Sequence, residues 1–269
     1  MSDFLEQVIA ERRADVAEAR TRVDDAAMRA HATISLSRER DRFYAALRSD
    51  RAHVAVIAEV KRVSPALGVL AQDVDPAAQA RRYVAAGARA ISVLTEPRHW
   101  GGSLDDLRAV RAAVDVPILA KDVIVDRYQM YEARAAGADA VLLIAEGLED
   151  AELRDLVATC RELGIDAVVE AHEPAAFGRA VTSGARIVGV NARNLRNPTE
   201  IDIGRVRQLH TFAHSDQIVV AESGIASIDD VRMLPARADA VLIGTALMRA
   251  DDPAPLIRSI ASIKRAVTV

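Results

Sequence analysis

Eight short apolar runs alternate with stretches of helical periodicity from residue 54 onward, and this alternation constrains the fold more than any other feature. The runs lie at residues 54–60, 90–94, 116–120, 140–144, 167–169, 187–190, 218–221 and 240–243. Continuous apolar strands are typical of parallel sheets that are buried on both faces. The intervening stretches, such as 76–86 and 127–136, begin with turn or capping residues. The pattern predicts an α/β fold, a closed (β/α)8 TIM barrel.

An internal repeat with a period close to 50 residues supports the barrel. Related segments at 86–90, 136–140, 183–187 and 236–240 precede the second, fourth, sixth and eighth strands, and the first three contain Gly87, Gly137 and Gly184. We expect each glycine to end its helix in a left-handed conformation. A doubly wound open sheet is the alternative fold, but no Gly-x-Gly-x-x-Gly turn follows the first strand.

The residues before the first strand have helical spacing at 3–23 and again at 38–47, with charged residues on the opposite faces. They predict an N-terminal helical extension, residues 1–50, followed by the catalytic barrel, residues 51–269, in one domain overall. The apolar stripe of the extension needs a partner, and we expect that partner to be the rim of the barrel.

Lysine usage points to chemistry at the end of the first strand. The chain has 35 basic residues, of which only Lys61, Lys121 and Lys264 are lysines, and the first two end apolar runs. Arginine occupies nearly every position where a positive charge only needs to be solvated, so a retained lysine suggests a place that guanidinium does not suit. Glu59 and Lys61 are two residues apart and share a strand face. A solvated surface ion pair is the competing interpretation of these two residues.

Active sites of such barrels lie at the carboxyl ends of the strands, and polar residues follow seven of the eight runs. They are Glu59, Lys61, Thr95, Glu96, Lys121, Asp122, Glu170, His172, Asn191, Arg193, Glu222, Ser223 and Thr245, the last beside Gly244. Any one of them could be a helix cap. Their convergence on one rim predicts an active site.

The loops after the last two strands predict a phosphorylated substrate. Small residues there, Ser223, Gly224, Gly244 and Thr245, expose backbone N–H groups, and Ser64 adds a hydroxyl from the first loop. The six histidines are scattered without ligand spacing, so we expect no metal.

Composition narrows the class of protein further. A net charge of −4 and an aromatic content of 3% argue against nucleic-acid binding. No apolar run reaches the roughly 18 residues that span a bilayer, so no membrane partner is expected and the predicted location is cytoplasmic. The single cysteine, Cys160, excludes an internal disulfide, and its helical context predicts a packing role.

The ordered set of motifs resembles the indole-3-glycerol-phosphate synthase family along essentially the whole chain. The matching segments are residues 57–65 with Gly68, 91–96 with 100–104, Lys121 and Asp122, 128–134, 137–139, 142–144, Asn191 with Arg193 and Leu195, 222–224 and Gly244. The N-terminal helices also match, since the family carries such an extension over the barrel mouth.

This resemblance implies ring closure of 1-(2-carboxyphenylamino)-1-deoxyribulose 5-phosphate to indole-3-glycerol phosphate in tryptophan biosynthesis. Carbon dioxide and water are lost, and no cofactor is used. It implies the following roles: Lys121 as the principal general acid, Glu170 and Glu59 as proton-transfer groups, Lys61 steering the anionic substrate, Asn191 and Ser223 orienting it, Arg193 on its anion, Gly224, Gly244 and Thr245 on its phosphate, and Trp100 against its aromatic ring. Glu222 is also expected to bind substrate.

Three positions depart from the family pattern. Ala66 replaces the second Ser of a Ser-Pro-Ser loop, Val123 replaces Phe, and Asn194 replaces Asp, while the segment 197–200 is one residue longer. Val123 leaves room for a substituted anthranilate ring, so a paralogue acting on such a derivative is one alternative. A catalytically silent barrel used as a binding subunit is another.

A phosphoribosylanthranilate isomerase is a further alternative within the enzyme class. It would need a Cys and an Asp as its acid–base pair, but the only cysteine, Cys160, lies in a helical segment. The chain is expected to be a monomer or homodimer.

Overall fold

The computed structural model describes residues 3–34, 39–71 and 73–265. Eight parallel strands close into a barrel, in which the last strand pairs with the first through Ala240 and Ala55. The barrel strands are β1 (Ala55–Val60), β4 (Ala90–Leu94), β5 (Ile118–Lys121), β6 (Ala140–Ile144), β7 (Asp166–Ala171), β8 (Ile187–Asn191), β9 (Ile218–Glu222) and β10 (Ala240–Ile243). The predicted TIM barrel is confirmed. A short antiparallel hairpin, β2 (Val63–Ser64) with β3 (Gly68–Val69), follows β1 and was not predicted.

The strand boundaries differ from the apolar runs in an instructive way. β5 was expected to end before Lys121, and β9 before Glu222, yet both strands include these polar residues. β5 also starts two residues late, because Pro117 has no N–H to give to the sheet. Polar residues can belong to the strands because their side chains find charged partners inside the barrel.

Helices surround the sheet, and several of them begin at side-chain caps. They are α1 (Phe4–Arg22), α2 (Asp25–Ile34), α3 (Arg42–Arg48), α4 (Pro76–Ala85), α5 (Leu104–Ala113), α6 (Arg127–Ala135), α7 (Asp150–Leu163), α8 (Pro174–Thr182), α9 (Gly204–Leu209), α10 (Ile228–Arg232), α11 (Thr245–Arg249) and α12 (Ala254–Ala261). Asp75 accepts the N–H groups of Ala77 and Ala78 at the start of α4. Cys160 is buried in α7, as predicted. Within the described residues, no helix is long and apolar enough to cross a membrane.

The N-terminal helices lie at both ends of the barrel. α1 crosses the carboxyl mouth, where Leu5 and Val8 are buried, and Arg12 pairs with Asp122 beyond β5. α3 lies at the amino end, where Phe43 and Leu47 pack against the apolar barrel interior. Of these two helices, α1 is therefore the one that covers the mouth.

The two predicted N-terminal segments correspond to α1 and α3, although residue 38 lies outside the described residues. α2, which packs on α6, was missed. The boundary at residue 50 between extension and barrel stays a prediction.

The sequence repeat corresponds to a structural device at the amino end of the barrel. Gly87, Gly137 and Gly184 have φ values of 105°, 103° and 89°, which confirms the expected left-handed conformation. Two residues after Gly137, the carboxylate of Asp139 accepts the N–H of Ile118 at 2.9 Å. The equivalent Asp239 accepts the N–H of Val219 at 2.7 Å. Asp139, just before β6, thus bonds to the first residue of β5, and Asp239, just before β10, bonds to the second residue of β9.

Candidate active site

A cavity of about 330 Å³ opens at the carboxyl ends of the barrel strands. All thirteen residues proposed from the sequence as catalytic or substrate-binding line it. They are Glu59, Lys61, Ser64, Trp100, Lys121, Glu170, Asn191, Arg193, Glu222, Ser223, Gly224, Gly244 and Thr245. These residues come from seven barrel strands and the loops that follow them, so closure of the barrel brings them together.

Lys121 lies between two buried carboxylates. Its Nζ is 3.1 Å from Oε2 of Glu170 and 3.1 Å from Oε2 of Glu222. These residues come from β5, β7 and β9, which are alternate strands of the barrel, and alternate strands contribute side chains to the same interior layer. Glu59, from β1, belongs to the same alternate set.

Gly189 in β8 and Gly244 directly after β10 make room for this charged layer. A Cβ on Gly189 would lie 2.3 Å from Oε1 of Glu222, and a Cβ on Gly244 would lie 2.2 Å from Oε1 of Glu59. No L side chain fits at either position unless a carboxylate moves. The absent side chains are therefore part of the site.

Burial and charge together set the protonation of this layer. Burial alone lowers the pKa of Lys121, but the negative charges of Glu170, Glu222 and Glu59 outweigh burial and raise the pKa above its usual value. Burial raises the pKa of Glu222 to about 8, against the opposing effect of Lys121. Both shifts favour the protonated forms, which are a charged Lys121 and a neutral Glu222.

Glu59 and Lys61 form an ion pair in which Nζ and Oε1 are 2.7 Å apart. Their side chains are 3% and 13% exposed, so the competing interpretation of a solvated surface pair is wrong. Oε2 of Glu59 is buried and has no hydrogen-bond partner in the described part of the chain. An unpartnered buried carboxylate oxygen is costly and is available to a substrate group.

Asn191 connects the charged layer to the next loop. Its Nδ2 donates to Oε1 of Glu170 at 3.3 Å, and its Oδ1 accepts the N–H of Arg193 at 3.0 Å. The guanidinium of Arg193 donates to the carbonyl of Pro198. Burial lowers the pKa of Arg193, and the charge of Glu59 opposes this effect.

One end of the cavity is formed by backbone in unusual conformations. Ser223 and Gly224 follow β9 with φ values of 66° and 75°. A serine in the left-handed region is strained, and such strain is concentrated at functional sites. Gly244 and Thr245 come from the neighbouring loop after β10, and Ser64 is buried on the hairpin.

The remaining wall is apolar. Trp100 is half-buried there, together with Leu94, Val123, Leu142 and Leu195. An aromatic ring fits such a surface, because flat apolar groups gain from burial and from ring contact.

Three further polar residues, Glu96, Asp122 and Arg249, line the cavity and were not proposed as site residues from the sequence. The sequence analysis identifies Glu96 and Asp122 as polar residues at strand ends, but the contacts of Glu96 depend on the path of a loop. Arg249 lies at the end of α11, one helical turn after Thr245. Its position a few residues after the last strand was the only available signal. In residues 3–34, 39–71 and 73–265, no cluster of three or more His, Cys, Asp or Glu residues could hold a metal ion.

Comparison with known proteins identifies related sequences. The family model described as Indole-3-glycerol phosphate synthase matches residues 5–260. A protein of that name from a Nocardioides species is 54% identical over 213 residues, which cover 78% of this chain and 81% of the relative. One from Kineococcus radiotolerans is 45% identical over 258 residues, covering 93% and 91%.

Solved structures share the fold at low sequence identity. A crystal structure of 3-hexulose-6-phosphate synthase has a TM-score of 0.61 and 16% identity, covering 78% of this chain and 99% of the other. Thiamine phosphate pyrophosphorylase from Pyrococcus furiosus has a TM-score of 0.57 and 16% identity, covering 77% and 93%. These two likenesses show the barrel alone.

Proposed function

The chain belongs to the indole-3-glycerol phosphate synthase family of carboxy-lyases in tryptophan biosynthesis, and we propose that the charged layer around Lys121 performs the acid–base chemistry. The substrate is 1-(2-carboxyphenylamino)-1-deoxyribulose 5-phosphate, and the product is indole-3-glycerol phosphate. The observation that carries the proposed assignment is the position of Lys121, whose Nζ is held 3.1 Å from both Glu170 and Glu222 in the cavity.

The first step forms a carbon–carbon bond. The ring carbon that bears the carboxylate attacks the ketone carbon of the substrate, and the ketone oxygen gains negative charge. Lys121 donates a proton to this oxygen as the general acid. Loss of the carboxylate as carbon dioxide then returns its electron pair to the ring, which restores aromaticity.

The second stage removes water. The hydroxyl formed in the first step leaves with a proton from an acid, and a base takes a proton from the neighbouring carbon to complete the indole. Glu170 contacts Lys121 directly, so it can exchange a proton with it. Glu59 and the protonated Glu222 are further carboxyl groups of the same layer, and we assign to them proton transfer and contact with substrate hydroxyls.

The two ends of the cavity suit the two ends of the substrate. The apolar wall with Trp100 would hold the anthranilate ring, and Lys61 and Arg193 would attract its carboxylate. Backbone around Gly224, Gly244 and Thr245, together with the hydroxyls of Ser64 and Ser223, would hold the phosphate. Asn191 would fix the substrate orientation through its bond to Glu170.

The test follows indole fluorescence after the purified protein is mixed with the substrate. The wild type should give the indole signal, and Lys121→Arg should lose nearly all of it, because guanidinium keeps the charge but does not release a proton. Folded wild-type protein that binds the substrate without forming indole would contradict the proposal and favour the silent barrel.

A second candidate function concerns the ring that the site accepts. Val123 is buried and lines the apolar wall, where the family pattern has a larger residue. We propose that this space admits a ring-methylated anthranilate. Wild type should turn over the methylated substrate faster, relative to the unsubstituted one, than Val123→Phe does. An equal or slower relative turnover would contradict the extra space.

We propose that the protein acts in the cytoplasm as a monomer or homodimer. The family's small phosphorylated substrate supports the location. Light scattering of the purified chain tests the oligomeric state, and a larger assembly would contradict it. Fractionation of the source cells tests the location, and activity found outside the cytoplasmic fraction would contradict that.

A further inference from the structure

We propose that Glu96 is a positioning residue for the reaction, which holds the loop 96–102 so that Trp100 lies against the aromatic end of the substrate. This inference rests on the proposed function for its substrate. Neither Glu96 nor this loop has an acid–base role in the account above. The inference is carried by the hydrogen bonds of one buried carboxylate.

The loop folds around the side chain of Glu96. Glu96 follows β4 and is 1% exposed. Its Oε1 accepts the N–H of Arg98 at 3.0 Å, and its Oε2 accepts the N–H groups of His99 at 2.7 Å and Trp100 at 3.0 Å. These three donors are backbone groups of successive residues, so the carboxylate fixes the backbone that carries the Trp100 ring.

The start and end of the loop are also fixed. The backbone carbonyl of Glu96 accepts the N–H of Gly102 at 2.8 Å. A Cβ on Gly102 would lie 2.2 Å from the carbonyl oxygen of Leu94, so only glycine allows the chain to return this close to β4. The loop is therefore closed on itself with the carboxylate at its centre.

Helix α1 braces the outer side of the same loop. The Phe4 ring centroid is 5.8 Å from that of Trp100 and 5.1 Å from that of His99. Nε2 of His99 is 2.6 Å from Oε2 of Glu11. The backbone of Trp100 is thus held by Glu96, its ring is contacted by Phe4 of α1, and the residue lines the cavity.

The same contacts argue that Glu96 positions the loop and does not transfer protons. An ionised carboxylate has about four lone-pair sites, and three of those on Glu96 already accept backbone N–H groups. Glu59 and Glu222, by contrast, each have an oxygen without a partner in the described ranges.

The variant that tests this is Glu96→Gln. The amide keeps the shape but replaces one acceptor oxygen with an NH2 group, which faces backbone N–H donors and forces the loop to move. We expect KM to rise about tenfold while kcat changes less than about twofold, because contact with the ring is lost and the acid–base layer is unchanged. Inhibition by inorganic phosphate should be unaltered, since phosphate binds at the opposite end.

Trp100 is the only tryptophan of the chain, so its emission without substrate reports on this loop alone. Glu96→Gln should shift the emission to longer wavelength as Trp100 becomes more exposed. Asp239→Asn is the matched control, because Asp239 is also a buried acceptor of a backbone N–H but lies at the amino end. It should lower stability without changing KM or the emission.

A double variant separates positioning from a general structural effect. If Glu96 acts through Trp100, then Trp100→Ala and the double variant with Glu96→Gln should have the same KM. Additive effects on KM, or unchanged Trp100 emission in Glu96→Gln, would overturn the inference. Absence of indole formation by the wild type would refute the proposed function instead, and the emission would still decide whether Glu96 positions the loop.

Discussion

At the amino end of the barrel, buried aspartates such as Asp139 pair with arginines and backbone N–H groups, whereas in the layer around Lys121 at the carboxyl mouth buried glutamates pair with lysines. Asp139 accepts the N–H of Ile118 and contacts the guanidinium groups of Arg42 and Arg111. At the mouth, Oε1 of Glu222 has no hydrogen-bond partner in the described part of the chain, and the same is true of Oε2 of Glu59.

The two ends of the barrel therefore use buried charge for different purposes. The planar guanidinium binds carboxylates in a fixed geometry and does not release its proton, which suits a permanent contact. The lysine ammonium is compact, and its proton can move. The amino end therefore stabilises the barrel, and the mouth keeps costly, partly unsatisfied groups for the reaction.

The largest expected effect is at the mouth. Glu170→Gln should lower kcat by about 10³-fold, because an amide cannot accept a proton from Lys121 or return it. The unfolding free energy should fall by no more than about 1 kcal/mol, because Lys121 keeps its hydrogen bond to Glu222. Indole fluorescence kinetics and urea denaturation of the same preparation check both statements. A kcat within tenfold of wild type would remove Glu170 from the chemistry.

The second effect is at the amino end, where we expect a loss of stability with little change in activity. Asp139→Asn should lower the free energy of unfolding by about 2 kcal/mol, because a buried carboxylate with charged partners is lost. Both kcat and KM should stay within about twofold of wild type. Asp115→Asn is the control, since that exposed carboxylate also contacts Arg42 and should matter little. Loss of activity in folded Asp139→Asn would break the separation of the two ends.

The smallest effect concerns glycine. Gly244→Ala should lower kcat about tenfold, because its Cβ would displace the Glu59 carboxylate. Gly178→Ala is the matched substitution on α8, where a Cβ meets nothing within 4 Å. It should raise the unfolding free energy by about 0.5–1 kcal/mol and leave kcat unchanged. Equal kcat values for the two variants would argue against a role for the space at Gly244.

The sequence predicts the periodic part of this molecule well, because apolar strands and helix caps are local signals. It also predicts the set of residues that line the cavity, since the barrel fold brings all strand ends to one rim. It does not predict that Glu96 binds the backbone of its own loop, because that depends on the loop path. Helix α2 was missed because it lies outside the strand–helix repeat, and its packing on α6 joins residues about 100 positions apart.

The measurement that tests the contrast most directly compares Glu222→Gln with Asp139→Asn in denaturant unfolding at pH 5 and pH 8.5. Burial holds the pKa of folded Glu222 near 8, above the 4.5 of an unperturbed carboxyl. At this residue the folded wild type therefore binds more protons than the unfolded chain between these values, so the stability that Glu222 contributes falls as pH rises through that window.

Glu222→Gln lacks this titrating carboxyl, so its stability does not fall with rising pH for this reason. Its stability relative to wild type should increase between pH 5 and pH 8.5 by more than about 1 kcal/mol, while kcat falls. Asp139→Asn should be less stable than wild type at both pH values and keep its kcat. If Glu222→Gln is instead destabilised to the same extent as Asp139→Asn at both pH values, the two ends do not use buried charge differently.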